Sequence, residues 1–265
     1  MNFYKDSCPQ AEEIIKEQVG LLYKRHKNTA FSWLRNIFHD CAVESCDASL
    51  LLDSTRRTLS EKEADRSFGM RNFRYLDTIK EALERSALRS SPAPTSSSSL
   101  PEKALHFPGG VPPDHNESIS SILDKFNALG INTRWPHPLR QARPPPLPEV
   151  DPAINPDHIP HMLKKCPDSI PDPKAVQYVR NDRGTPMKLD NNYYRNILDN
   201  KGLLMVDHQL AYDSRTRPFV LKMAKSEDYF FQEFSRAIQI LSENNPLTGT
   251  KGEVRKQCNV ANKLH

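Results

Sequence analysis

Apolar side chains recur at three- and four-residue spacing along most of this chain, and alternating segments are nearly absent. That contrast restricts the fold to a mainly α architecture. The spacing predicts helices over residues 10–26, 30–41, 73–85, 119–129, 191–199, 217–225 and 228–243, the fourth of them behind a polar Asn-Glu-Ser start. Two segments break the pattern. Residues 86–113 and 133–148 are rich in Pro, Ser and Arg without periodicity, a composition that buries too little apolar surface to offset the entropy of ordering it. Stretches of that length without elements of their own are uncommon inside a compact domain.

The 265 residues, 37% of them apolar, are enough for a real core. A net charge of +4, from 37 basic and 33 acidic residues mixed along the chain, gives no basic stripe for nucleic acid phosphates. No apolar run approaches the ~20 residues of a membrane span, and Met1 leads directly into polar NFYKDSCPQ rather than a signal-peptide core, so the expectation is either a cytosolic chain or one whose leader is missing. The five cysteines, Cys8, Cys41, Cys46, Cys166 and Cys258, show no C-x-x-C pair. Disulfides therefore suit them better than a structural zinc, and an odd number leaves at least one without a partner.

The stretch LRNIFHDCAVESCDASLLLD, residues 34–53, concentrates an unusual mixture. On a helix ending near Cys41, Arg35 and His39 are four residues apart and share a face, with Trp33, Ile37 and Phe38 left for packing. A fixed cation and a base would point together. In the loop that follows, Asp40, Asp47 and Ser49 offer oxygen ligands and Val43 and Ser45 offer carbonyls, while Cys41 and Cys46 can close the loop. Hard oxygens in a short constrained loop suit calcium.

These residues, together with NFYKDSCPQAEEII, SEKEADRSF, NDRGTPMKLDNNYYRNILDNKGLLMVDHQL and FSRAIQILSENNPLTGTKGEVRKQCN, resemble the secretory plant haem peroxidases of class III. The resemblance implies a mainly α haem-peroxidase fold with distal and proximal helical halves around haem b, two calcium ions, and reduction of hydrogen peroxide with oxidation of small phenolic donors. It further implies roles in the oxidative stress response, peroxide removal and cell-wall phenolic or lignin chemistry. A monomer secreted to the cell wall or vacuole is expected, and Asn116 opens a glycosylation sequon. His39 would be the general acid and base and Arg35 the stabiliser of charge on the parting oxygens. Asp40, Val43, Ser45, Asp47, Ser49 and Glu61 match the distal calcium ligands, Ser45 standing where glycine is usual. Pro113 matches a proline of the donor site. Asp182, Thr185, Lys188 through its carbonyl, and Asp190 match the proximal calcium ligands, and Asp207 the aspartate that hydrogen-bonds the iron-ligating histidine. The asparagine that orients the distal histidine is not evident, Arg66 or Ser67 falling in its place.

The family's iron-ligating helix, of pattern G-x-H-[ST]-x-G-x-x-x-C, belongs between Ile131 and Glu149 and is not there. His137, the histidine nearest that place, lies between Pro136 and Pro138, where a helix cannot continue. The helix with a Cys-Ala-Asp-Ile motif, expected after Arg85, is likewise replaced by SPAPTSSSS. The genetic code accounts for both losses. Shifted codons for residues 92–104 permit C-A-D-I-L-V-L-S-A-R-E-G, and serine TCN codons conceal an apolar run. Shifted codons for 132–135 permit H-S-V-G, and those for 137–147 permit T-H-C-V-K-L-V-H-R-L-Y.

The expectation is a single peroxidase domain over 1–265. It comprises a distal half over 1–85, an aberrant segment over 86–113, a distal helix within 114–132, an aberrant segment over 133–148 in place of the proximal helix, and a proximal half over 149–265. Two out-of-frame segments with accompanying deletions then remove the iron ligand, which is left unknown, and the partners of Cys8, Cys166 and Cys258. Cys41–Cys46 survives. The rival reading is a haem-free, non-catalytic calcium-binding remnant of the same fold.

Overall fold

The computed structural model describes residues 6, 8–42, 46–64, 67–87, 117–131, 153–165, 182–244, 246, 253 and 255–262. Val43, Ser45, Arg66, Pro113, Asn116, His137 and Cys166 lie outside them, as do nearly all of the two aperiodic segments. The described residues form helices and turns, with one isolated bridge between Gln257 and Val260. The mainly α expectation holds.

The chain divides into two compact units, residues 1–107 with 242–265, and residues 108–241. In the first, α1 (Ala11–Arg25), α2 (Thr29–Cys41) and α3 (Arg74–Ala87) pack together, α1 lying against both others. Glu12 and Glu13 open α1 and Lys24 and Arg25 close it, each charge opposing the helix dipole. Ala11, Leu22, Phe38, Ala42, Leu50 and Tyr75 are buried. The packing face of α2 is more polar than its sequence suggests, because Ser32, Asn36 and Thr29 are buried while Trp33 and Ile37 stay partly exposed. Asn72, held at φ 68°, accounts for Ser32 and Trp33: its amide donates to Ser32 Oγ at 2.7 Å, and Trp33 Nε1 donates to its carbonyl at 3.4 Å, while Asn36 Nδ2 donates to the Arg71 carbonyl at 3.2 Å.

The second unit contains α4 (Ile119–Ala128), α5 (Ile159–Lys165), α6 (Asn192–Leu198), α7 (Met205–Tyr212), α8 (Arg217–Lys225) and α9 (Glu227–Ser242). Its core joins Ile122, Leu123 and Phe126 of α4 to Ile197, Leu210, Val220, Met223 and Phe230. The sequence reading groups α4 with the distal half, whereas α4 packs on α7 and its first N–H, from Ile119, donates to Gln209 Oε1 at 2.8 Å. Residues after α9 return to the first unit.

Two helices, α5 and α7, escape the periodicity reading. α5 has seven residues with Pro160 at its start, behind a 3-10 turn capped by Asn155. α7 blurs the usual pattern: an acid, Asp207, is buried beside Val206, Leu210 and Ala211, while Met205 and Tyr212 are about half exposed. At the α7–α8 corner, buried Thr216 donates to the Leu210 carbonyl at 2.7 Å, and Arg217 Nη1 donates to that of Ala211 at 2.8 Å. Thr216→Val strips a donor from a buried carbonyl. The expected loss is ~1–2 kcal/mol, read as a lower urea midpoint with an unchanged denaturant slope.

Candidate functional site

In the first unit, α2 sets Arg35 and His39 on one face, one turn apart, as their spacing predicts. Arg35 Nε donates to His39 Nε2 at 3.4 Å. A guanidinium only donates, so this contact suits a His39 ring whose Nε2 is free to accept.

Asp40, one residue on, turns back over the loop. Its Oδ2 accepts from Ala48 N at 3.0 Å and its Oδ1 from Leu50 N at 3.4 Å. Ala48 takes a left-handed φ of 61° at the entry to the turn that aims these N–H groups. Asp47 Oδ1 accepts from Ser49 N at 2.9 Å, and Ser49 also bonds to the Glu61 carboxylate. Glu61 begins a 3-10 turn fixed by Ser60, whose hydroxyl donates to the Leu52 carbonyl at 2.6 Å and accepts from Lys62 N. Burial, followed by the charges of Asp47 and Glu61, pushes Asp40 up to about 6, and burial with Asp47 raises Glu61 as well.

The Cys41–Cys46 disulfide closes this loop, as expected. Asn244 holds it from the returning chain, donating to the Cys41 carbonyl at 2.7 Å and accepting from Cys46 N at 3.0 Å. Arg255 donates to the carbonyls of Ala48 at 2.7 Å, Cys258 at 3.3 Å and Asp47 at 3.4 Å. Neither Asn244 nor Arg255 is recognisable as a loop clamp from sequence, since both lie far along the chain. Cys8 and Cys258 carry free thiols, and burial with the neighbouring Asp77 pushes Cys258 up to about 11. Such a thiol stays protonated and unreactive.

Among the described residues no three His, Cys, Asp or Glu side chains gather closely enough to hold a metal by themselves. The distal donor set fits calcium only as a mixed one. Asp40, Asp47, Ser49 and Glu61 supply side-chain oxygens, and the expected carbonyls of Val43 and Ser45 lie outside the described residues.

In the second unit, Asp182 and Asp190 flank a turn in which Lys188 N donates to the Thr185 carbonyl at 2.9 Å. Thr185 Oγ1 donates to Asp182 Oδ2 at 2.9 Å. Asp207, fully buried at N3 of α7, accepts Tyr193 OH on Oδ1 at 2.7 Å, and Leu203 N and Leu204 N on Oδ2 at 2.8 and 2.9 Å. Burial raises this carboxyl and the three donors oppose that shift. No imidazole is among these partners. Asp207, which the resemblance matches to the aspartate that orients the iron ligand, is here bonded to a tyrosine and the backbone, and Tyr193 is the partner that sequence reading misses.

A helical chain with an arginine–histidine pair on one helix, followed by a disulfide-closed loop of hard oxygens, has the arrangement that the resemblance implies. Family comparison gives the same class: the family model described as Peroxidase matches residues 15–93 and 137–226, more than half the chain, and the chain belongs to that family of haem peroxidases. It is 64% identical over 302 aligned positions to Peroxidase 42 of Arabidopsis thaliana, covering 100% of this chain and 90% of that protein. Peroxidase 21 of the same plant is 44% identical over 302 positions, covering 99% and 90%, and Peroxidase 63 is 31% identical over 304, covering 99% and 90%. An alignment of 302 positions against 265 residues leaves about 37 positions at which this chain has no residue. The stretch between the two matched parts, 94–136, takes in most of the first aperiodic segment, while most of the second falls inside the match.

Proposed function

We propose that this chain carries the peroxide-reducing site of its family on α2, and that the loss of the iron-ligating helix leaves the literal chain impaired. The Arg35–His39 pair carries the reading. His39 Nε2 takes the proton from one oxygen of hydrogen peroxide and returns it to the departing oxygen, while the Arg35 guanidinium stabilises the negative charge that develops as the O–O bond parts. The products are two waters, and two phenolic donors each give one electron and one proton. Haem supplies the electron transfer in the family. No described histidine bonds Asp207, so the described residues do not fit iron ligation and no step of this chain is routed through the iron.

One calcium ion held by Asp40, Val43, Ser45, Asp47, Ser49 and Glu61 would offset the mutual repulsion of the three carboxylates and stiffen the loop that follows His39. Pro113 would line the donor site. The disulfide supports folding in an oxidising compartment, hence secretion to the cell wall or vacuole, as a monomer. No helix among the described residues is long and apolar enough to cross a membrane. The rival, a haem-free calcium-binding remnant, is favoured for the literal chain by the donors that already occupy Asp207.

The test is to sequence the transcript across codons 86–148 and express the frame-restored chain beside the literal one. Peroxide-dependent oxidation of a phenol such as guaiacol is expected from the restored chain alone. Equal turnover in the two would overturn the account of the damage.

A further inference from the structure

An ionised carboxylate has about four lone-pair directions in which to accept, and Asp182 meets five donors. Its Oδ1 accepts from Gly184 N at 3.1 Å, Thr185 N at 3.2 Å, Asn192 Nδ2 at 2.6 Å and Asn196 Nδ2 at 3.2 Å, and its Oδ2 from Thr185 Oγ1 at 2.9 Å. Two of the five are amides projecting from α6. The Asn192 amide fits only because residue 184 is glycine, since a Cβ there would lie 2.6 Å from its nitrogen. Asp190, with a side chain 6% exposed, accepts from Asn192 N on Oδ1 at 2.9 Å and has Lys188 Nζ 3.6 Å from Oδ2. Asn192 thus serves both carboxylates, one through its side chain and one through its backbone.

Calcium takes about six to eight oxygen ligands. Around Asp182 and Asp190 the described donors are mostly N–H groups, whose positive ends oppose a cation, and the Lys188 ammonium lies 3.6 Å from Asp190 Oδ2. These residues do not fit the second calcium that the resemblance implies. The distal carboxylates differ: Asp40, Asp47 and Glu61 accept from three backbone N–H groups and one hydroxyl, with no side-chain amide and no cationic side chain among the described partners.

We propose that the 182–196 segment neutralises its own carboxylates through Asn192 and Asn196 and is independent of calcium, so that the chain holds one calcium ion rather than two. The count of one rests on the distal reading above; the independence of 182–196 does not. In this arrangement α6 is anchored by the protein itself, and a chelator loosens only the loop of residues 40–61.

The experiment uses the full chain, dialysed against calcium and counted by atomic emission. One ion per chain is expected, retained in Asp182→Asn and lost in Asp47→Asn. Asn192→Ala and Gly184→Ala should each lower the melting temperature by about 2–6 °C, equally in calcium and in EGTA, with the double variant no lower than the worse single one. Two ions per chain, or one that Asp182→Asn loses and Asp47→Asn keeps, overturns the proposal. A chain that takes up none overturns the distal reading and the count. The melting shifts then decide the rest, and a shift that calcium reverses overturns the independence of 182–196.

Discussion

Asp207→Ala is expected to lose ~3–5 kcal/mol and, in a domain of ordinary stability, to bring the second unit close to unfolding. The carboxylate is fully buried and holds three donors. Removing it strands the N–H groups of Leu203 and Leu204 at the first turn of α7 and deprives the Tyr193 hydroxyl of its acceptor. Gly202→Ala attacks the same contact from outside, because a Cβ on residue 202 would lie 2.5 Å from Asp207 Cβ. Both variants should melt well below the parent, measured by circular dichroism at 222 nm. Tyr193→Phe, which removes one donor and keeps the ring, should lose only ~1–2 kcal/mol. An Asp207→Ala protein that melts with the parent would mean that α7 is held by its apolar contacts alone.

In the frame-restored chain, His39→Ala should lower kcat/KM for peroxide by ~10²–10⁴-fold, and Arg35→Ala by ~10²–10³-fold. The two are hydrogen-bonded and act on one bond, so the double variant should fall short of the product of the single losses. Stopped-flow measurement of the peroxide step, with a melting curve to confirm folding, separates this from structural damage. Losses under tenfold in both single variants would remove the pair from the chemistry.

Much of this arrangement is legible in the sequence wherever the determinants are local. α1, α2, α3, α4, α6, α8 and α9 announce themselves because each carries apolar residues at helical spacing, although α2 turns a more polar face inward than that spacing suggests. The residues that the resemblance assigns to the distal side are legible for a related reason: Arg35, His39, Asp40, Asp47, Ser49 and Glu61 lie close together in the chain, and the disulfide spans only five residues. α7 is not legible, since it buries an acid and exposes Met205 and Tyr212. The clamps are not legible either. Asn244 and Arg255 reach the distal loop from the far end of the chain, and the bonds from Tyr193 to Asp207 and from Asn192 to Asp182 depend on turns that place glycines 202 and 184 under the side chains. No periodicity encodes such contacts. The resemblance matches Asp182 and Asp190 to calcium ligands of the family and Asp207 to the aspartate that hydrogen-bonds its iron-ligating histidine, while the donors that take them up here come from the fold.

The central claim is that this chain keeps the distal acid–base pair and has lost the iron ligand, and one spectrum tests it directly. The literal chain and its frame-restored counterpart are refolded side by side with haem and calcium, and the Soret region is recorded. The account predicts a five-coordinate haem band in the restored chain and none in the literal chain, whose His137 lies between two prolines and whose Asp207 is already bonded to Tyr193. A stable five-coordinate band in the literal chain that disappears on His137→Ala would contradict it, because a substitute ligand would then exist.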